Sequence, residues 1–179
     1  MVTSAGRRTR LVFVGAIAAQ RLAELVWSRR NERRLRARGA VEHDRRGYPA
    51  MVALHVGWLA AMAAETSWAS SASRRWRLVG VAALVAAQPL RYWAIWSLGD
   101  RWTTRVLVPP AEPSVAAGPY RFIAHPNYVA VATEIAAAPV SVGAWRTAVV
   151  ASVLDALVLR RRVRVETAAL LSTDPGSRT

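Results

Sequence analysis

Residues 128–159 read YVAVATEIAAAPVSVGAWRTAVVASVLDALVL, and the length and apolar composition of this stretch indicate the fold class. As a single α-helix it would be about 48 Å long, far more than the roughly 30 Å of hydrocarbon in a bilayer. Pro139 and Gly143 lie near its middle, where a tight reversal of the chain costs least. The sequence therefore predicts a hairpin of two shortish membrane helices.

Three earlier stretches, residues 11–27, 49–69 and 78–98, are each apolar over about the length of one membrane crossing. A soluble helical bundle is the alternative, but its helices would need polar faces, and residues 51–64 offer almost none. We therefore predict an all-α, polytopic membrane protein with about five transmembrane helices and a C-terminal helical hairpin. Residues 1–179 are expected to form a single domain.

The first apolar stretch also has the features of a cleaved signal peptide, because arginines precede it and small residues follow. Beyond it, however, Arg21 and Glu24 stand one helical turn apart, where they can pair and continue the helix. We favour a retained first membrane helix.

The composition excludes several classes of protein. The 179 residues are 53% hydrophobic, with a mean hydropathy of +0.15, a net charge of +14 and no cysteine. Disordered chains, disulfide modules, thiolate metal sites and cysteine nucleophiles are therefore excluded. Three dispersed histidines predict no metal site, and arginine clusters without interleaved aromatic residues predict no nucleic-acid partner.

Arginine placement predicts the orientation in the membrane. The loop over residues 28–48 carries eight arginines, so the positive-inside rule makes it cytoplasmic and the N-terminus external. Five crossings then return the basic tail, Arg160 to Arg178, to the same face as the loop over residues 99–127. We expect a bacterial inner-membrane protein whose active site and C-terminus are cytoplasmic.

The end of that loop, residues 118–128, reads GPYRFIAHPNY and leads directly into the apolar hairpin. Pro126 suits the first turn of a helix, and it biases His125 toward extended backbone. The positive end of a helix would thus meet an anion or carboxylate here, with Arg121 as a possible clamp. The alternative is an ordinary amphipathic loop whose aromatic residues, Tyr120, Phe122 and Tyr128, lie at the membrane interface.

The pattern G-P-Y-R-x-x-x-H-P-N-Y before an apolar hairpin resembles the isoprenylcysteine carboxyl methyltransferase family, whose relatives include phospholipid N-methyltransferases. LGDRWTTRV at residues 98–106 and RRRVRVE at residues 160–166 are similar to the family's flanking segments. The resemblance covers about residues 90–170. It implies a membrane-embedded pocket for S-adenosylmethionine that is not a Rossmann fold. Ala124 and Thr167 depart from the residues that many members carry.

The resemblance also implies roles for residues. The tail residues Arg162 and Glu166 match positions that hold cofactor and acceptor in the family, and they are predicted to be catalytic. The chemistry adds one role, since a phenolic acceptor would need a base and Glu166 is the candidate for it. The predicted cofactor-binding residues are Tyr120, Arg121, His125, Pro126, Asn127, Tyr128 and Glu134.

Glu134 joins that set on its own placement, because it lies about two turns into the helix that follows Pro126. The other intramembrane carboxylates, Glu65 and Asp155, are predicted to connect helices, since charges inside a bilayer are usually paired or functional. His55 is predicted to be a hydrogen-bonded packing residue.

These observations favour an S-adenosylmethionine-dependent methyltransferase that O-methylates a lipophilic acceptor entering from the bilayer. The acceptor is either an isoprenylcysteine-type carboxylate or a polyketide-derived phenolic or pyrone lipid. One alternative is a sterol-type NADPH reductase, since His-Pro-Asn-Tyr also occurs there, although Val129-Ala130 replaces the usual Gly-Glu. Another is a non-enzymatic subunit that binds membrane lipids.

Overall fold

The computed structural model describes residues 4–68, 73–110, 112 and 115–173. Most of them lie in helices, so the all-α prediction is confirmed. The five helices are α1 Ser4–Ala37, α2 Tyr48–Trp68, α3 Arg74–Leu98, α4 Pro126–Val142 and α5 Trp145–Thr173. Two short antiparallel strands, β1 Val41–Glu42 and β2 Leu107–Val108, join the first and third connections. Ala69 and Arg178, named in the sequence predictions, lie outside the described residues.

The predicted hairpin is present. Helix α4 ends at Val142, and Gly143 takes the left-handed conformation, with φ of 85°, that reverses the chain into α5. The amide of Ala144 donates to the carbonyl of Pro139, which satisfies one of the last carbonyls of α4. Glycine suits this position because a β-carbon would disfavour positive φ.

Two helices extend well past their predicted apolar stretches. Helix α1 continues through the arginine-rich segment to Ala37, and α5 continues to Thr173. The segment over residues 28–37, predicted to be loop, is therefore helical. Hydropathy marks only what fits the bilayer, whereas Arg, Glu, Leu and Ala are good helix formers in water as well.

Two helical segments of the described chain, Ser4–Ala37 and Arg74–Arg101, are long and apolar enough to cross a membrane. Helix α4 has 17 residues and is about 25 Å long, at the lower limit for a crossing. The described residues therefore form five α-helices, and two helical segments are candidate spans by length and composition. Five membrane crossings remain a prediction.

The most extensive helix contact is between α3 and α4. It is close at Gly80, where an added β-carbon would lie 2.7 Å from the backbone nitrogen of Ser141. Glycine therefore lets the two backbones approach. An apolar core joins α1, α2, α4 and α5. Within it the Trp58 indole donates a hydrogen bond to the carbonyl of Ile135 at 3.1 Å.

Glu65, on α2, connects two helices as predicted. Its carboxylate accepts hydrogen bonds from the amides of Arg146 and Thr147 and from the Thr147 hydroxyl, at 2.7–3.0 Å. These donors belong to the first turn of α5, whose positive end favours a carboxylate. The end of α2 is thereby fixed to the hairpin turn, at the opposite end of the bundle from residues 118–128.

Candidate active site

The GPYRFIAHPNY segment folds as one 3₁₀ turn, Gly118–Arg121, followed by the start of α4. Gly118 has a φ of 58°, and a β-carbon there would overlap the Ser97 side chain. Pro119 is buried, and Pro126 occupies the first turn of α4 after the non-helical His125. These local preferences place Tyr120, His125 and Tyr128 on one side of the segment.

These side chains line a cavity of about 190 Å³. Its wall mixes charged and hydroxyl groups with aliphatic side chains, and we call it the polar cavity because polar atoms form a larger share of its surface than of the second cavity beside it. Its walls come from the start of α4, the tail of α5 and the connection between α3 and α4. Among the predicted site residues, those in its wall are Tyr120, His125, Asn127, Tyr128, Arg162 and Glu166. The structure therefore brings together six of the nine residues singled out from the sequence.

The Tyr128 hydroxyl is the centre of a hydrogen-bond network in this wall. It donates to the Glu166 carboxylate and accepts a hydrogen bond from the Arg162 Nε at 2.7 Å. Arg162 also donates to the carbonyl of Thr104 at 2.7 Å, which fixes its planar guanidinium. The network ties α4, α5 and the third connection to one another at the site.

Three aromatic side chains lie near the Glu166 carboxylate, those of His125, Tyr128 and Tyr120. The His125 ring stacks on Tyr128 with 5.3 Å between centroids, and its Nδ1 lies 3.9 Å from the Glu166 Oε2. Burial, and then the negative charge of Glu166, raise the pKa of Tyr120 above its ordinary value, so both effects favour the neutral phenol. A carboxylate flanked by aromatic faces is suited to a cationic ligand.

A second, apolar cavity of about 400 Å³ adjoins the first. Aliphatic side chains of α1, α2, α4 and α5 line it. The two cavities share a wall made of Trp102, Thr103, Asn127, Tyr128 and Arg162. The Tyr128–Arg162 pair thus separates the polar cavity from a cavity whose surface is mostly apolar.

Trp102 is a wall residue that the sequence analysis did not single out. It is 2% exposed, it packs against Trp27, and its carbonyl accepts a hydrogen bond from Asn31 at 2.8 Å. Its indole Nε1 is buried without a hydrogen-bond partner in the described part of the chain. Buried indole N–H groups usually have an acceptor, so this one is an exception among the described residues. Its place in LGDRWTTRV was the only signal for it.

Three predicted residues lie elsewhere. Arg121 is exposed, with its guanidinium 5.8 Å from the Phe122 ring centroid, and Pro126 is buried in the first turn of α4. Glu134 is 1% exposed and borders neither of the two cavities described above. Their part in cofactor binding stays a prediction.

Glu134 belongs instead to a buried ionic cluster of two arginines and two glutamates between α1, α3 and α4. It binds Arg21 and accepts a hydrogen bond from Gln88 at 2.7 Å. Arg91 binds Glu24 through two hydrogen bonds of 2.5 and 2.9 Å. The predicted pair of Arg21 with Glu24 is present as well, at 2.8 Å.

The cluster contacts the wall of both cavities through Asn127. The Arg91 Nη1 lies 3.4 Å from the Asn127 Oδ1, and Asn127 lines both cavities. The ionic cluster is therefore connected to the first turn of α4 through this contact.

His55 is hydrogen-bonded as predicted, with its Nδ1 2.9 Å from the carbonyl of Met51. Asp155 differs from its prediction. In residues 4–68, 73–110, 112 and 115–173 no group donates a hydrogen bond to it, and it lines the apolar cavity. No described group of three or more His, Asp or Glu residues is placed to hold a metal ion.

Comparison with known proteins gives one family and two relatives. Residues 78–172 match the model of the isoprenylcysteine carboxyl methyltransferase family. The Bacillus subtilis (strain 168) protein YpbQ, described as uncharacterized, is 33% identical over 159 residues, covering 89% of this chain and 95% of its own. An uncharacterized Haemophilus influenzae protein is 25% identical over 162 residues, covering 90% of this chain and 94% of its own. No solved structure gives a significant match.

Proposed function

Because the chain belongs to the isoprenylcysteine carboxyl methyltransferase family, we propose that it is an integral-membrane methyltransferase that uses S-adenosylmethionine and O-methylates a lipophilic acceptor. The observation that carries the proposal is the shared wall of the two cavities. Tyr128 and Arg162 stand between a polar cavity and an apolar one. A water-soluble donor and a lipid acceptor can therefore approach the same side chains from opposite sides.

The polar cavity has the groups that S-adenosylmethionine requires. Glu166 with the rings of Tyr120, His125 and Tyr128 suits its positive charge. Cavities for ligands of this size usually measure about 300–1,000 Å³, so this one of about 190 Å³ encloses only part of the molecule.

When bound, S-adenosylmethionine supplies an electrophilic methyl group, which an in-line displacement transfers without a metal. The protein has to hold the two reactants in line, and orientation of this kind supplies about 7–11 kcal/mol of the barrier. Arg162 is fixed by Tyr128 and by the Thr104 carbonyl, so its guanidinium is pre-positioned for an acceptor oxygen. Arg164 is not placed for this role, because it is exposed and borders neither cavity. Its Nε donates instead to the carbonyl of Arg160, one turn earlier in α5.

The nature of the acceptor determines what Glu166 does. A carboxylate acceptor arrives ionised and needs only a positioning cation, which is the role proposed for Arg162. A phenolic or enolic acceptor has to lose a proton, and Glu166 is the base proposed for it. Glu166 borders the polar cavity only, and the hydrogen bond from the Tyr128 hydroxyl connects its carboxylate to the shared wall.

Donor binding tests the proposed function directly. We expect the purified protein in detergent to bind labelled S-adenosylmethionine and not to bind NADPH. Unlabelled S-adenosylhomocysteine should displace the bound S-adenosylmethionine. Binding of NADPH without S-adenosylmethionine would instead identify a reductase. Binding of neither would favour a non-enzymatic lipid-binding subunit.

Cysteine labelling tests the proposed inner-membrane orientation, and the natural chain contains no cysteine to interfere. We expect an impermeant maleimide to label the Ser73→Cys variant in intact cells, because the α2–α3 connection is placed outside. His43→Cys and Ala116→Cys, both at exposed positions, should react only after permeabilisation. Labelling of Ser73→Cys and Ala116→Cys from the same side would contradict the proposed crossings.

A further inference from the structure

Asp155 lies in the middle of α5 and is 2% exposed, yet it has no partner within the described chain. It lines the apolar cavity among aliphatic neighbours that include Leu59, Val131, Val158 and Leu159. Burial of a carboxylate without a hydrogen bond costs free energy, so such groups normally have a donor.

Other buried carboxylates in the bundle do have donors. Glu24 and Glu134 are held by the two arginines of the ionic cluster and by two glutamines, Gln20 and Gln88. Glu65 accepts three hydrogen bonds at the start of α5. Asp44 outside the bundle is paired as well, with the Gly47 amide and with Arg161. The fold therefore satisfies its buried carboxylates elsewhere, and Asp155 faces a cavity large enough to admit a donor from outside.

Asp155 shares a face of α5 with the proposed catalytic residues. Arg162 follows it by seven residues and Glu166 by eleven, spacings close to whole numbers of turns at 3.6 residues per turn. Seven residues correspond to about 10.5 Å along the helix axis. The α-carbon of Asp155 is therefore about 10 Å along the helix axis from that of Arg162, a residue of the shared wall.

The charges around the cavity favour a neutral donor. Arg21, Glu24, Arg91 and Arg162 line it, and each arginine already has a partner within the chain, so a further cation would have to be desolvated with only Asp155 to compensate it. An unsubstituted isoprenyl chain has only C–H groups and would leave the carboxylate unpaired. A hydroxyl group donates a hydrogen bond without bringing a charge.

We propose that Asp155 accepts a hydrogen bond from a hydroxyl group on the chain of the methyl acceptor, about 10 Å from the oxygen that is methylated. This inference rests on the proposed function, because it takes the apolar cavity as the acceptor site. It selects a hydroxylated lipid over a plain prenyl chain. Asp155 is thus a specificity-determining residue.

Equilibrium binding tests this proposal without turnover. The probes are para-dodecylphenol and the same phenol with a hydroxyl on the fourth carbon of its chain, each titrated into the purified protein in detergent. A hydrogen bond to a charged group predicts that the hydroxylated probe binds about ten- to hundredfold more tightly. In Asp155→Leu this preference should disappear, because the affinity for the plain phenol rises and the affinity for the hydroxylated phenol falls.

Val158→Leu is the matched control, since Val158 lines the same cavity three residues away and carries no polar group. It should change the affinity for both probes and keep their ratio. Asp155→Asn retains a carbonyl acceptor, so part of the preference should return even where Asp155→Leu folds poorly. Equal affinities in the natural protein, or an unchanged ratio in Asp155→Leu, would overturn the proposal. An Asp155-dependent ratio in a protein that fails to bind S-adenosylmethionine would refute only the methyltransferase function.

Discussion

Replacing Glu166 with glutamine is expected to lower methyl transfer by about 10²–10⁴-fold if Glu166 acts as a base, while the fold survives. The substitution keeps the size of the side chain and its reach to the Tyr128 hydroxyl but removes the charge. That charge lies beside His125 and Tyr120, where a cationic donor is proposed to bind. The measurement is transfer of a labelled methyl group into total lipid extract.

Arg162→Lys belongs to the same experiment. Lysine keeps the charge but cannot donate from a planar fork to the Tyr128 hydroxyl and the Thr104 carbonyl together, so a substantial loss of transfer is expected. Arg164→Lys is the matched control, because Arg164 is two residues away and exposed. It should behave like the natural protein.

A different result would give the tail another role. If the α5 tail is only an anchor to anionic lipid, Arg162→Lys should be as silent as Arg164→Lys, and Glu166→Gln should tighten membrane attachment. Near-normal turnover in Glu166→Gln would refute the catalytic assignment of the tail. It would leave the proposed cofactor contacts of His125 and Tyr128 standing.

Replacing Arg91 with methionine is expected to destabilise the protein by about 3–5 kcal/mol, the usual effect of removing one partner from a buried ion pair. Arg91 is 4% exposed and binds Glu24 through both carboxylate oxygens. Without it, Arg21 alone would face two buried carboxylates, Glu24 and Glu134. Such a loss is a large share of the 5–15 kcal/mol that typically stabilises a folded protein.

Thermal unfolding in detergent, followed by helical circular dichroism, measures this effect. Arg34→Met is the matched control, because Arg34 pairs with Asp100 while the two side chains are 63% and 58% exposed. An exposed pair contributes about 0–1 kcal/mol, so this variant should unfold close to the natural protein. Adding Glu24→Gln to Arg91→Met should recover part of the loss. If Arg91→Met unfolds at the temperature of the control, the cluster does not stabilise the bundle.

Much of the site was predictable because its residues lie in one local segment. Pro126 and Gly118 impose backbone geometry over a few residues, so the turn and the start of α4 follow from neighbours in sequence. The pairing of Arg21 with Glu24 is similarly local, since one helical turn separates them. The break at Gly143 follows from a stretch too long to cross the membrane once.

Sequence patterns were enough to predict the all-α class, the C-terminal hairpin and the segment that forms the site, because periodicity, helix length and turn residues act over short distances along the chain. Which buried polar groups find partners depended instead on how the helices pack. Glu134 was predicted near the cofactor and lies in the ionic cluster, Asp155 was predicted to connect helices and faces a cavity, and Trp102 was not singled out at all. Each outcome depends on contacts between helices far apart in sequence. A helix periodicity tells which residues share a face, whereas the packing of the other helices sets what that face meets.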